Sequence, residues 1–253
     1  MTTDTYHAGA PYWAELSSSD PTAVRLFYGE LFGWQFAEIE LPDRDGALLC
    51  TLAGTPVALI DRAEDGLPSA WTTYIYAEEI EPVLARVVAT GGKVVRAPRP
   101  SAGGRRIAAF SDPAGVVLGV FELDSQPGVA SQGSALDGGE LITDDVDASA
   151  AFYQAVFGWE LTAPEGPMNR REWMLDGRRV GGLLPRPPAM PREIPVYWDT
   201  WFGSPHPDDV AGRAPALGGA VRMGPVELEN GRLAVLSDPA DAVFSIFAAN
   251  PNS

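Results

Sequence analysis

The chain has 253 residues, enough for one large domain or two of average size, and its 45% hydrophobic and 21% charged residues are the balance of a globular fold rather than a disordered chain. Thirty-four acidic residues against 18 basic ones give a net charge of −16, spread along the sequence, so the surface repels phosphate backbones and anionic lipid, and neither nucleic acid nor a membrane is expected as a partner. A single cysteine, Cys50, excludes an intramolecular disulfide and any multi-cysteine metal site, and with no basic-then-apolar leader in residues 1–11 the cytoplasm is the expected location.

Taken in chain order, residues 12–17 read as a short strand. Asp20 is placed to cap a helix whose first position is Pro21, and Val24, Phe27, Tyr28, Leu31 and Phe32 fall at helical spacing before Gly33 ends it. Strands are predicted at 35–40, 47–52 and 55–61; Cys50 lies in the second and is read as a packing residue. A further strand at 71–77 leads to a helix at 80–90 terminated by Gly91-Gly92, then strands at 93–96, 106–111 and 116–122. Residues 124–137, rich in Ser, Gly and Gln and without periodicity, read as a linker between a first domain at 1–123 and a second at 138–253.

The second domain repeats the first. Glu15-Leu16 recurs as Glu140-Leu141, Asp20 as Asp145, Phe27-Tyr28 as Phe152-Tyr153 and Phe32-Gly33-Trp34 as Phe157-Gly158-Trp159, all at one constant shift. Farther on, Trp71-Thr72-Thr73-Tyr74 matches Trp198-Asp199-Thr200-Trp201, Gly91-Gly92 matches Gly218-Gly219, and Ser111-Asp112-Pro113 matches Ser237-Asp238-Pro239. The second domain's later helix, at about 208–217, carries Pro215 inside it, which a helix interior tolerates poorly.

A strand ending near an Asp, a helix carrying Phe-Tyr, a Phe-Gly-Trp terminus, and the late turns Asp112-Pro113-Ala114-Gly115 and Asp238-Pro239-Ala240-Asp241 together resemble the vicinal oxygen chelate superfamily. Within it, the likeness is to tandem glyoxalase/bleomycin-resistance-like proteins. The resemblance implies an α+β fold of two tandem glyoxalase-like domains. Each would consist of paired βαβββ modules whose mixed sheets curl around a cleft, with helices on the outer face. Strand alternation then turns Ala14 and Leu16 toward the helix and leaves Trp13 and Glu15 in the first cleft, into which the family's register also points Thr72, Tyr74 and Tyr76, with Phe121 from the last strand. The second cleft receives Glu140, Asp199, Trp201 and Phe247.

Metal-using members of the superfamily hold a divalent ion with His and Glu or Gln from the first, fifth and eighth strands. Carried onto this sequence, those positions are Trp13, Thr72 and Gly119, and Gly138, Asp199 and Ser245, with one or two residues of register open at the fifth strand. Among these only Asp199 is a good ligand, and neither His7 nor His206 occupies such a position, so no metal and no cofactor are expected. Glu15, Glu140 and Asp199 are instead the candidate catalytic residues, because a carboxyl desolvated beside aromatic rings gains the raised pKa that acid–base work near neutrality needs. Trp13, Thr72, Tyr74, Tyr76, Phe121, Trp201 and Phe247 are candidate ligand-binding walls. Two readings follow. One is a metal-independent enzyme acting on a small, aromatic, natural-product-like substrate; the other is a non-catalytic protein that sequesters an antibiotic or other small molecule. Since four modules already lie in one chain, a monomer or a homodimer satisfies either.

Overall fold

The computed structural model of the chain describes residues 7–42, 44–102, 105–123, 136–228 and 230–250. The first half forms β1 (Pro11–Ser18), α1 (Pro21–Phe32), β2 (Gln35–Leu41), β3 (Arg44–Leu52), β4 (Thr55–Arg62), β5 (Ala70–Tyr76), α2 (Ile80–Ala89), β6 (Lys93–Ser101), β7 (Arg105–Ser111) and β8 (Val117–Leu123). These strands make one eight-stranded sheet in the order β2-β3-β4-β1-β5-β8-β7-β6. β1 runs parallel to β4 and β5 parallel to β8, while β1 and β5 join the two βαβββ modules antiparallel.

The second half repeats the plan. It comprises β9 (Leu136–Thr143), α3 (Val146–Phe157), β10 (Glu160–Leu161), β11 (Arg171–Leu175), β12 (Arg178–Pro185), β13 (Tyr197–Gly203), α4 (Pro207–Arg213), a 3₁₀ turn (Ala214–Leu217), β14 (Ala220–Leu228), β15 (Gly231–Ser237) and β16 (Val243–Ala249). Its sheet order, β10-β11-β12-β9-β13-β16-β15-β14, is the same. No helix among the described residues is long and apolar enough to cross a membrane.

Three local details differ from the sequence reading. β9 begins at Leu136, two residues inside the segment read as linker, and residues 124–135 lie outside the described residues. The helix expected at 208–217 is α-helical only to Arg213 and tightens to 3₁₀ across Pro215, which has no N–H to continue the ladder. β10 is cut to two residues where the first domain has seven, and a turn-rich stretch with Pro164, Gly166 and Pro167 follows it.

The helices form as their caps dictate. Asp20 and Asp145 accept hydrogen bonds from Ala23 N and Ala148 N at 3.0 and 2.9 Å, while Gly33 and Gly158 close the other ends in the left-handed conformation. What they bury was not legible beforehand: each helix is covered on one side by its own sheet and on the other by the opposite domain. The core around α1 combines Ala14, Leu16 and Ile60 with Phe202, Val210, Leu236 and Phe244, and the core around α3 combines Leu141 and Leu183 with Ile75, Val87, Phe110 and Val120. The convex faces of the two sheets thus meet across the helices.

The repeated motifs are the two halves of that joint. Tyr28 Oη donates to Asp238 Oδ2 at 3.1 Å, and Tyr153 Oη donates to Asp112 Oδ2 at 3.2 Å. Each aspartate uses its other oxygen to close its own Asp-Pro turn, Asp112 accepting from Val116 N at 2.9 Å and Asp238 from Ala242 N at 3.0 Å. The neighbouring phenylalanines seat on the second glycine of each Gly-Gly pair. A Cβ on Gly92 would stand 3.1 Å from the Phe152 ring, and one on Gly219 would stand 2.6 Å from the Phe27 ring. Thr73 and Thr200, equivalent in the repeat, share a hydrogen bond at 2.9 Å, so the pseudo-twofold axis passes between them.

The two clamps are unequal, because Trp71 Nε1 also donates to Tyr28 Oη at 2.8 Å, whereas Trp198 Nε1 has no partner. Tyr28→Phe strands both the Asp238 oxygen and the Trp71 indole, and it is expected to cost about 2–3 kcal/mol against about 1–2 for Tyr153→Phe. Urea unfolding of the two variants checks this; equal losses would contradict the relay.

Candidate active site

Each sheet's concave face is a cleft, and register decides what lines it. In the first, Trp13 lies opposite Tyr74 and Tyr74 opposite Gly119, so these three form one row across β1, β5 and β8. The fifth-strand position equivalent to a metal ligand is therefore Tyr74, two residues beyond Thr72, which instead pairs with Glu15. A divalent ion does not fit this row. It offers an indole, a phenol and a glycine, and a Cβ on Gly119 would stand 2.1 Å from the Tyr74 ring, which already fills the place of an eighth-strand ligand. In the second cleft Trp201 lies opposite Ser245, and Asp199 again pairs with the glutamate, Glu140. No cluster of three His, Cys, Asp or Glu residues suited to a metal occurs among the described residues. His206 sits at the N-terminus of α4 and His7 ahead of β1, both away from the clefts.

In the first cleft Glu15 is the hub. Its Oε1 accepts from Trp13 Nε1 at 3.1 Å and Ser101 Oγ at 2.6 Å; its Oε2 pairs with Arg44 Nη1 at 2.9 Å and takes a long contact from Tyr74 Oη at 3.5 Å. Both oxygens are thus engaged. Burial pushes the Tyr74 hydroxyl up, with Glu15 adding to the rise. The Arg105 guanidinium stacks 4.2 Å above the Trp13 ring, and Tyr76 packs on Phe121. Trp13, Tyr74, Tyr76 and Phe121 join Leu59 and Ile107 in one buried cluster, while Thr72 is half-buried at the strand's start.

The second cleft holds the same pair differently. Glu140 bonds Arg170 Nε, as Glu15 bonds Arg44, but its neighbour on β12 is Gly182 where β4 has Leu59. A Cβ on Gly182 would stand 2.6 Å from Arg170 Nη2, so the glycine makes the room for the guanidinium. Arg170 and Arg179 lie 5.3 and 5.6 Å from the centre of the Trp201 ring, which packs on Phe247 at 5.0 Å. Glu172 accepts from Arg179 Nε at 3.0 Å and Asn230 Nδ2 at 2.9 Å at the rim.

Asp199 is the floor. Its Oδ2 accepts from Trp201 Nε1 at 2.9 Å and Ser245 Oγ at 2.5 Å, while its Oδ1 is buried without a partner among the described residues. Arg170 Nη2, Arg179 Nη2 and Asn230 Oδ1 are likewise buried with no partner among the described residues. Desolvation pushes the Asp199 carboxyl up to about 7, the Ser245 and Trp201 hydrogen bonds opposing it and Glu140 adding to it. Burial also raises Glu140, against the pull of Arg170. Donors and acceptors left open side by side, above a carboxyl that exchanges its proton near neutrality, suit an oxygen-bearing ligand and a proton transfer.

The structure therefore gathers Trp13, Glu15, Thr72, Tyr74, Tyr76 and Phe121 about one cleft and Glu140, Asp199, Trp201 and Phe247 about the other. Sequence reasoning missed Arg44, Ser101 and Arg105 in the first, and Arg170, Glu172, Arg179, Asn230 and Ser245's bond to Asp199 in the second. A signal existed for one pair: Arg44 and Arg170 recur at nearly the shift that relates the glutamates they bind.

A carboxyl raised by burial keeps its proton in the folded chain at pH values where the unfolded chain has lost it. Stability from this source is greatest below about pH 4 and falls as pH rises toward 7. A carboxyl moved from 3.8 to about 7 corresponds to roughly 4 kcal/mol of that fall. Asp199→Asn is expected to flatten the pH dependence of unfolding between pH 4 and 8, as read by denaturant titration at each pH; an unchanged slope would refute the assignment.

Comparison with known proteins agrees with this geometry. A family profile described as a glyoxalase-like domain matches residues 13–121, and one described as bleomycin resistance protein-like N-terminal matches residues 140–169. "Putative glyoxylase CFP32" of Mycobacterium tuberculosis is 33% identical over 97% of this chain and 97% of its own length. "Anthracycline biosynthesis protein DauV" of a Streptomyces species is 30% identical over 94% of this chain and 92% of its own. Among solved structures, the Mn(II)-bound glyoxalase of Novosphingobium aromaticivorans superposes with a TM-score of 0.69 at 16% identity, over 95% of this chain and 82% of that one. The 2,3-dioxygenase LapB of a Pseudomonas species gives 0.68 at 13% identity, over 98% and 96%. At such identities the two structures speak for the fold alone. With a duplicated βαβββ architecture and full-length relatives of this kind, the chain belongs to the glyoxalase-like family of the vicinal oxygen chelate superfamily, as a tandem two-domain member.

Proposed function

We propose that the chain is a metal-independent enzyme that moves a proton on a small, oxygenated aromatic substrate held in the second domain's cleft. The observation that carries this is Asp199, buried, ionising near pH 7, with one oxygen free and two unpartnered guanidinium nitrogens on the same concave face. As a base, Asp199 Oδ1 takes a proton from the carbon beside a substrate carbonyl. The negative charge that develops on the carbonyl oxygen is stabilised by Arg170 Nη2 and Arg179 Nη2, and the proton returns from Asp199 to the same or a neighbouring carbon. Glu140 holds Arg170 in place, and Trp201 and Phe247 supply the flat wall. A carboxyl near pH 7 is suited to both halves of this cycle, because neither protonation state is rare at neutrality.

Glu15 has no comparable opening, with both oxygens taken by its own cleft's donors, so the proton-transfer role belongs to the second domain. The substrate class comes from the aromatic floor, supported by the relatives named for anthracycline biosynthesis, DauV and the DnrV protein of Streptomyces peucetius.

The test uses an anthracycline aglycone as probe. Binding is followed by tryptophan fluorescence, and proton transfer by deuterium incorporation beside the ketone in heavy water. The rate is expected to rise with pH through about 7 and to be unaffected by a chelator. Asp199→Asn is expected to lower it at least ~10²-fold while changing affinity little. Exchange that survives in the variant, or is lost to the chelator, overturns the mechanism; tight binding with no exchange in the parent chain gives the sequestering protein instead.

A further inference from the structure

The two clefts differ in charge, and the first is the basic one in an otherwise strongly acidic chain. Arg44, Arg96, Arg99 and Arg105 converge there against Glu15 and Asp61, with Glu64 at the exposed rim. In the second cleft, Arg170 and Arg179 face Glu140, Glu172, Asp137 and Asp199.

Strand geometry aims the arginines of β6. Ser101 reaches inward to Glu15, so Arg99, two residues earlier on the same face, points into the cleft as well, and it lies opposite Ile107 of the buried cluster. Arg96, across a bulge, lies opposite Ala109, two residues from Ile107 and on its face. Arg44 enters from the other module and reaches across to Pro100 O, 3.2 Å away, immediately beside Arg99. The three side chains all lie close enough to the Tyr74 hydroxyl to act on it electrostatically.

Their partners are unequal. Arg44 is satisfied by Glu15, Asp61 and Pro100. Arg96 has only Glu64, whose side chain is 72% exposed and whose attraction is therefore weak. Arg99 has no ion-pair or hydrogen-bond partner among the described residues, and its Nε is buried. Burial and the charges of Arg44 and Arg96 hold Arg99 below the ordinary arginine range. A half-buried guanidinium crowded by two others, on which Glu15 and Asp61 act only at a distance and with no direct partner among the described residues, describes a site completed by an anion.

We infer that the first cleft binds a small anionic group, a carboxylate or phosphate, between Arg99 and Arg96, above the Tyr74 hydroxyl and beside the Trp13–Arg105 stack. This site is separate from the second cleft and stands whether or not that cleft turns over a substrate. The ring wall of Trp13, Tyr76 and Phe121 lies below it, so an aromatic carboxylate suits the surface better than a bare inorganic ion.

Benzoate and inorganic phosphate, titrated separately into the full chain at low ionic strength and read by calorimetry and thermal shift, test the inference. Saturable binding is expected, tighter for benzoate and weakened by added salt. Arg99→Gln and Arg96→Gln should each weaken it about tenfold or more, the loss expected of a charge-assisted contact, while Arg232→Gln, in an exposed ion pair with Asp208 and Glu227, leaves it unchanged. Phosphate bound more tightly than benzoate would remove the ring wall from the site. No saturable binding of either anion, binding indifferent to both first-cleft variants, or equal loss in Arg232→Gln overturns the proposal. Arg96, more exposed than Arg44, serves as the second variant should Arg99→Gln fold poorly.

Discussion

The whole architecture hangs on a reciprocal insertion: the Phe-Tyr pair of each domain's first helix is completed only by the other domain. A twelve-residue helix with five buried apolar or aromatic side chains, as in α1, carries more apolar surface than its own curled sheet can cover. The remainder finds the partner's Gly-Gly and Asp-Pro segments, where a glycine lets the ring approach and an aspartate receives the phenol. The tyrosine must give up water to do this, and its hydrogen bond to a carboxylate offsets the desolvation. Because each helix is used twice, neither domain's outer face is complete alone, and the concave faces are left for ligands.

Duplication then let those faces diverge on one backbone. Both clefts retain a buried glutamate–arginine pair at matching positions, Glu15–Arg44 and Glu140–Arg170. Around it the first cleft is lined by large groups: Leu59, Trp13 and the Tyr74 ring that occupies the space over Gly119. In the second, Gly182 replaces Leu59 and Gly138 replaces Trp13, while Asp199 and Ser245 stand where the first has Thr72 and Gly119. At the first two positions a large apolar group gives way to glycine, and at the other two a threonine and a glycine give way to a carboxyl and a hydroxyl. The outcome is one cleft rich in arginine and one whose floor is a carboxyl near neutral pH.

The duplication and the element order were legible because they rest on spacing and alternation. Period two places Trp13 and Glu15 together, and a constant shift carries that onto Glu140. What was not legible rests on contacts between segments far apart in sequence. Tyr28 and Asp238 each announced themselves as repeated motifs, but nothing local says that one is the other's partner 210 residues away. Nothing in local spacing says that Arg44, Arg99 or Arg170 enters a cleft, although the first and last recur at nearly the shift of the glutamates they or their equivalents bind; only the sheet pairing turns them inward. The fifth-strand register slipped by two residues for a similar reason, since Thr72 and Tyr74 share a face and only pairing with Gly119 distinguishes them.

Charge burial without full satisfaction is the strongest reason to regard the second cleft as a working surface. A buried polar atom lacking a partner costs about 1–3 kcal/mol, and Asp199 Oδ1, Arg170 Nη2, Arg179 Nη2 and Asn230 Oδ1 share one concave face. The first domain shows that the same backbone accommodates a satisfied alternative, in which a serine, an indole and an arginine saturate the glutamate and leucine fills the remaining space. The second domain departs from that alternative at Gly182 and Asp199 together, leaving a carboxylate oxygen buried without a partner among the described residues where the first domain's glutamate has both oxygens engaged.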